Sequence, residues 1–229
     1  MPAKKLPDTD EARIKALETI IRIEENAKEK STLSLKEIQD LKSFLLTYER
    51  SHFCVKQALD DEVSAENHCL QLFQKAQLYI SHFIQVLYLT VVRQEIKAEN
   101  MAYYGLEYSD NFTLLDLSTE KALMEWGERL INGEALRTSQ GGTPIYNPAI
   151  TKVKVYYDLY KEATYSLKIY RQNTNRYRES HESLHDKADS LIWTAWTKVE
   201  FAFGALPPTE RDDKYSEYEI QFYYQTGEE

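Results

Sequence analysis

The stretch LYISHFIQVLYLTVV, residues 78–92, and its counterpart SLIWTAWTKVEFAF, residues 190–203, carry apolar side chains around most of a helical circumference. Such helices belong at the centre of a fold, with other helices packed on several sides. They occupy matching places in the two halves of the chain. The expected fold class is therefore all-α: a single helical domain spanning 1–229, a bundle of about six helices built from two related three-helix halves.

Composition agrees. The 229 residues include only 7 Gly and 6 Pro, which argues for long helices with few connections. The net charge of −9 is the wrong sign for a phosphate-backbone binder, so no nucleic-acid partner is expected. Cys54 and Cys69 are too few for a disulfide framework, and both fall on apolar helix faces, as reduced core cysteines do. The N-terminus lacks the apolar run of a signal peptide. The apolar stretch 78–92 is interrupted by Ser81, His82 and Gln85 and is shorter than a membrane span, so no membrane association and a cytoplasmic location are expected.

Working outward, helix one is expected over about 10–28, with Asp8 and Glu11 at capping-box spacing. A second capping box, Ser34 with Glu37, opens helix two, whose inner stripe is Ile38, Leu41, Leu45, Tyr48, His52, Val55 and Leu59. Asp60, Asp61 and Glu62 suggest a turn before helix three, 64–100. One uninterrupted helix would be about 100 Å long at 1.5 Å per residue, which a compact domain does not accommodate. Residues 103–117 read as irregular, with Gly105, Asp110 and Asn111 as breakers. Ser118 is the expected cap of helix four, 120–131, ended by Asn132-Gly133, and 136–146 reads as loop. Asn147-Pro148 is the expected start of helix five, running to about 171, with Asn as cap and Pro at the first position. Asn173, Thr174 and Asn175 then suggest a break before helix six, 177–204, which Pro207-Pro208 stops. The tail alternates at Tyr218, Ile220 and Phe222, as a short strand does.

Displacing the chain on itself by 112 positions places Ile38 on Ile150 without gaps. Lys42 then meets Lys154, Tyr48 Tyr160, Lys56 Lys168, Ala76 Ala188, Ile80 Ile192 and Leu87 Val199. Lys15-Ala16-Leu17 matches Lys121-Ala122-Leu123 at a displacement of 106. Any two amphipathic helices share apolar spacing, but not the lysines and tyrosines, so an internal duplication is expected, with pseudo-repeats at about 10–108 and 118–222. On this reading 78–92 and 190–203 pack against each other at the centre of one core.

Two patterns carry candidate chemistry. His181, Glu182 and His185 match H-E-x-x-H, which on a helix places two imidazoles on one face to hold zinc, with Glu182 as general base. A third donor is required, and Glu200 lies 15 residues beyond His185. It would have to come from another helix, with His52, His68 and His82 the candidates. In the duplicated register His181 and His185 fall opposite Cys69 and Phe73, which are core residues, so structural histidines and no bound metal or other cofactor are the expectation. Glu49 with His52, and Glu182 with His185, have the spacing of di-iron bundles, but their register partners, Lys161 and Leu70, break the expected symmetry. The other pattern is aromatic: Tyr156, Tyr160, Tyr165 and Tyr170 form a candidate interaction surface. The expected function is thus a non-enzymatic interaction or scaffold protein that binds a protein partner or forms a homodimer. The alternative is a metal-binding bundle, acting as a zinc-dependent hydrolase, centred on His181, Glu182 and His185.

Overall fold

A computed structural model describes residues 3–27, 31–109 and 115–223. The fold is mostly helical, with a short two-stranded sheet. In chain order the elements are β1 (Ala3–Lys5), α1 (Asp10–Ala27), α2 (Leu35–Val92), a 3-10 segment (Ala98–Tyr104), α3 (Glu120–Ser139), α4 (Ile150–Glu182), α5 (His185–Phe203), α6 (Pro208–Glu217) and β2 (Gln221–Tyr223). The tail strand pairs with the N-terminal one: β1 and β2 are antiparallel, with Lys4 opposite Phe222. No described helix is long and apolar enough to cross a membrane.

The chain divides into two compact units, residues 1–59 with 173–229, and residues 60–172. Each has its own core. In unit 1, α1 contributes Leu17, Ile20 and Ile21, the first part of α2 contributes Ile38, Leu41, Phe44 and Tyr48, and α5 contributes Ala188, Ile192, Trp196 and Val199. In unit 2, the second part of α2 contributes Ala76, Ile80, Phe83, Ile84 and Leu87, packed with Leu123 and Leu130 of α3 and Val153, Tyr160 and Leu167 of α4. The stretches 78–92 and 190–203 thus contribute to two cores, not to one, and they are not enclosed on all sides: Leu78, Leu89, Val92, Trp193 and Phe201 are exposed.

This division explains why α2 is continuous. A single helix of 58 residues did not fit one compact domain, but it can supply one segment to each of two. Asp60, Asp61 and Glu62 are helical, since acidic residues without Gly or Pro do not break a helix. The expected break at 173–175 is absent as well. Thr174 is buried and donates to the Ala58 carbonyl at 3.2 Å, while Arg171 bonds Glu66 at 2.8 Å, so α4 runs on to Glu182. The interruption falls at Ser183 and Leu184, where the Leu184 N–H bonds the His181 carbonyl at 2.9 Å and α5 begins at His185.

The caps differ in detail. Thr9, not Asp8, caps α1 by accepting from the Ala12 N–H at 3.2 Å. The Ser34 and Glu37 box forms as expected: the Ser34 N–H donates to Glu37 at 2.9 Å and the Glu37 N–H to Ser34 Oγ at 3.3 Å. The Lys198 ammonium beside Glu37, aided by the Ser34 bonds, holds its carboxyl at about 2. Thr119 rather than Ser118 caps α3. That helix passes through Gly133 to Ser139 because Gly133 is a packing residue: a Cβ there would lie 2.6 Å from the Tyr103 carbonyl oxygen. Asn147 has φ 62°, which is not the extended conformation of an N-cap, and α4 starts only at Ile150. Pro207-Pro208 ends the preceding segment, but Pro208 also opens α6 at a first-turn position. Asp110 and Asn111 lie outside the described residues.

Both units use a buried glutamate to tie a helix to the loop that follows it. Glu24 accepts from the hydroxyls of Ser31 and Thr32, from the Leu33 N–H at 3.2 Å and from the Tyr218 hydroxyl at 2.8 Å. Glu134 accepts from the Tyr104 hydroxyl, from the Ile145 N–H at 2.8 Å and from Arg137.

Candidate metal centre

Within unit 1, three segments bring polar side chains to one point. Thr9 fixes the start of α1 and sets Asp10 and Glu11 in its first turn. On α2, Tyr48 and His52 are one turn apart and share a face. His181 lies in the last turn of α4 and His185 in the first of α5, so the H-E-x-x-H sequence straddles the break between two helices.

Asp10 is the hub. Its Oδ2 lies 3.2 Å from His181 Nε2 and 3.5 Å from His52 Nδ1. Its Oδ1 accepts from the Tyr48 hydroxyl at 2.7 Å and lies 2.9 Å from His185 Nε2. Donor atoms of Asp10, His52 and His181 all lie within 4.8 Å of one another. The rings crowd: His181 is 4.7 Å from Tyr48, 5.4 Å from His52 and 5.2 Å from His185 between centroids. On its far side His52 Nε2 faces Glu11 at 3.4 Å, and Glu11 also accepts from Lys56 at 3.0 Å.

These imidazoles are close to carboxylates yet poorly bonded to them. Both nitrogens of His52 and of His181, and Nε2 of His185, are buried without a hydrogen-bond partner among the described residues. The Asp10 oxygens are near enough, but none of these contacts meets the geometry of a hydrogen bond donated by a ring N–H. A buried polar atom left so costs about 1–3 kcal/mol, and one ring with both nitrogens unsatisfied is uncommon in a core.

The electrostatics favour a neutral His181 ring beside a charged Asp10 carboxylate. Burial lowers the His181 pKa, and His185 and His52 add to that, against the pull of Asp10. Burial would raise the Asp10 carboxyl, but the Tyr48 hydrogen bond and the neighbouring imidazoles prevail and it lies below its ordinary value. A neutral imidazole offers a lone pair, and an ionised carboxylate offers another: the donor chemistry of a first-row divalent ion. Donors around one tetrahedral ion, with bonds of about 2.0–2.1 Å, stand about 3.3–3.4 Å apart. The 3.2 and 3.5 Å separations at Asp10 Oδ2 bracket that spacing.

Comparison with protein-family models, with curated proteins and with solved structures gave no match. The site therefore stands on its own geometry.

Among the residues singled out from sequence, His52 joins His181 and His185, whereas His68 and His82 are exposed on the part of α2 that belongs to unit 2. Glu182 is exposed and is not among the converging donors, nor is Glu49. The four tyrosines singled out on α4, Tyr156, Tyr160, Tyr165 and Tyr170, are not brought together. Tyr160 is buried in the core of unit 2 and Tyr156 packs against that core, stacked on Tyr79 at 4.6 Å. Tyr165 and Tyr170 are exposed. Sequence reasoning missed Asp10 and Tyr48. The one as a helix start and the other as a stripe residue gave no sign of a shared destination, although the Tyr48–His52 spacing put both on one face.

Proposed function

We propose that this protein is a metal-binding helical protein whose unit 1 holds one first-row divalent ion on Asp10 Oδ2, His52 Nδ1 and His181 Nε2. The observation that carries the reading is the convergence of three donors from three chain segments, all within 4.8 Å of one another and two of them 3.2 and 3.5 Å from Asp10 Oδ2, with buried ring nitrogens that have no hydrogen-bond partner among the described residues. Glu11 and Tyr48 fit outer-shell roles. One faces the far nitrogen of His52 and the other bonds the second oxygen of Asp10, the arrangement that orients ligands at metal sites.

Titration of chelator-stripped protein with Zn(II) should show one tight site per chain by calorimetry. Absence of saturable binding, or binding unchanged in His52→Gln, would sink the proposal. Glu182 is not cast as the general base, since its exposure aims it away from the donors.

The site also fits an internal duplication, which is the second part of the proposal. Tyr48 and Tyr160, Ala76 and Ala188, Ile80 and Ile192, and Leu87 and Val199 are buried in their respective units. The Glu24–Tyr218 and Glu134–Tyr104 bonds are alike in the two units. Each unit draws on both halves of the chain, so the repeats exchange helices. In that register His52 and His181 correspond to Thr164 and Cys69, which are also neighbours, 3.7 Å apart between oxygen and sulfur. Unit 2 fills the position without histidine, so the fold does not require imidazoles there. The test is an experimental structure: with Ile38 placed on Ile150, the units should overlay helix for helix, and a different helix order in the two would end the duplication reading.

A further inference from the structure

Resting on the metal reading, we propose that His185 supplies a fourth protein donor, so that the ion sits in a shell closed by Asp10, His52, His181 and His185. The site is then a structural centre that staples α1, α2 and the α4–α5 junction together.

The buried nitrogens carry the argument. Among the described residues, the buried side-chain nitrogens and oxygens without a hydrogen-bond partner all belong to three histidines: both nitrogens of His52, both of His181, and Nε2 of His185. Burying such an atom unpaired is costly, and confinement of all of them to one cluster points to one shared partner.

His185 belongs to that cluster by position as well. Its side chain is 28% exposed, yet Nε2 is buried and lies 2.9 Å from Asp10 Oδ1. Positions 181 and 185 are one helical turn apart, and the Leu184 N–H bond to the His181 carbonyl, at 2.9 Å, keeps the chain turning across the α4–α5 break. Both rings therefore reach the same carboxylate, with His181 Nε2 at 3.2 Å from Oδ2, and their planes stand at 88°.

Coordination number supplies the reason for a fourth donor. Structural zinc is held by four protein ligands, whereas an open position belongs to catalytic sites, where water or substrate takes the fourth place. Here the ring nitrogens around the ion's position are buried from solvent, so the remaining donor comes from the protein. Asp10, His52 and His181 supply three, and His185 Nε2 is the unpartnered buried nitrogen, among the described residues, on a ring outside that set. His185 is not among the donors that lie within 4.8 Å of one another. Donors on a tetrahedral ion stand about 3.3–3.4 Å apart, so the ion has to draw His185 inward as it binds.

The experiment uses the full chain with one equivalent of Co(II), zinc competition to read affinity, and azide as the probe for a solvent-exchangeable position. Wild type should show the intense visible bands of four-coordinate cobalt, unchanged by azide. His185→Gln should weaken binding by more than the about 10–100-fold expected of an outer-shell change, approaching the loss in His181→Gln. Circular dichroism checks that the variant folds, and the wild-type spectrum is a test that needs no variant. Saturable azide shifts in wild type, the weak bands of a six-coordinate ion, or a His185→Gln loss that stays within the outer-shell range would each overturn the fourth donor. Failure of wild type to take up cobalt at all would instead bring down the metal reading itself.

Discussion

Replacing His181 by Leu should abolish stoichiometric metal binding and leave the metal-free protein at least as stable as the parent. The two effects together separate a ligand from a structural histidine. His181 is 3% exposed, and neither ring nitrogen has a hydrogen-bond partner. Leucine removes both unsatisfied atoms, each costing about 1–3 kcal/mol, and fills most of the same volume. Against this stands the lost ring contact with Tyr48 at 4.7 Å. The net change should be neutral or stabilising, the usual trade where function keeps an unfavourable group in a core. Metal affinity should fall well beyond the about 10–100-fold expected for the outer-shell changes Tyr48→Phe and Glu11→Gln. Denaturant unfolding in chelator, paired with zinc titration, reads both quantities. A variant that unfolds more easily by over about 1 kcal/mol, with no change in metal uptake, would show that His181 serves packing alone.

Glu134→Leu should cost about 3–5 kcal/mol, a large share of the 5–15 kcal/mol that holds a typical domain together. Glu134 is 1% exposed and Arg137 is 3% exposed at the side chain, so neither charge has water to fall back on. Arg137 donates to both Glu134 oxygens, at 3.0 and 2.9 Å, to the Tyr104 hydroxyl at 2.8 Å and to the Thr143 carbonyl at 2.7 Å. Removing the carboxylate strands the guanidinium and orphans the Ile145 N–H, which bonds Glu134 at 2.8 Å. The cost is mostly that of an uncompensated charge, so the double variant Glu134→Leu with Arg137→Met should recover much of it. Urea unfolding followed by circular dichroism gives both values. A single-variant loss under about 1.5 kcal/mol would mean that water reaches Arg137 and the network is not a sealed one.

Much of the fold was legible because helix periodicity is local. The stripes of α1 and the first part of α2, the Ser34–Glu37 box and the apolar centres at 78–92 and 190–203 are readable from residues three and four apart. The tail strand was readable from alternation, although its partner β1 was not, because a three-residue strand has no pattern of its own.

What the sequence determined by itself is the helical class, the starts of α1, α2 and α3 to within a residue, and the inner stripes of α1 and the first part of α2, since each rests on neighbours within one turn. The tertiary structure decided the rest. Continuity of α2 through Asp60 and Asp61, and of α4 through Thr174, depends on contacts such as the Thr174 bond to Ala58, 116 positions away. The division into two cores depends on where those helices lead. The site is the clearest case. His181 and His185 were visible as a pair, but Asp10, Tyr48 and His52 lie far away along the chain. Only packing brings a carboxylate from one helix start within 3.2 Å of an imidazole at another helix end.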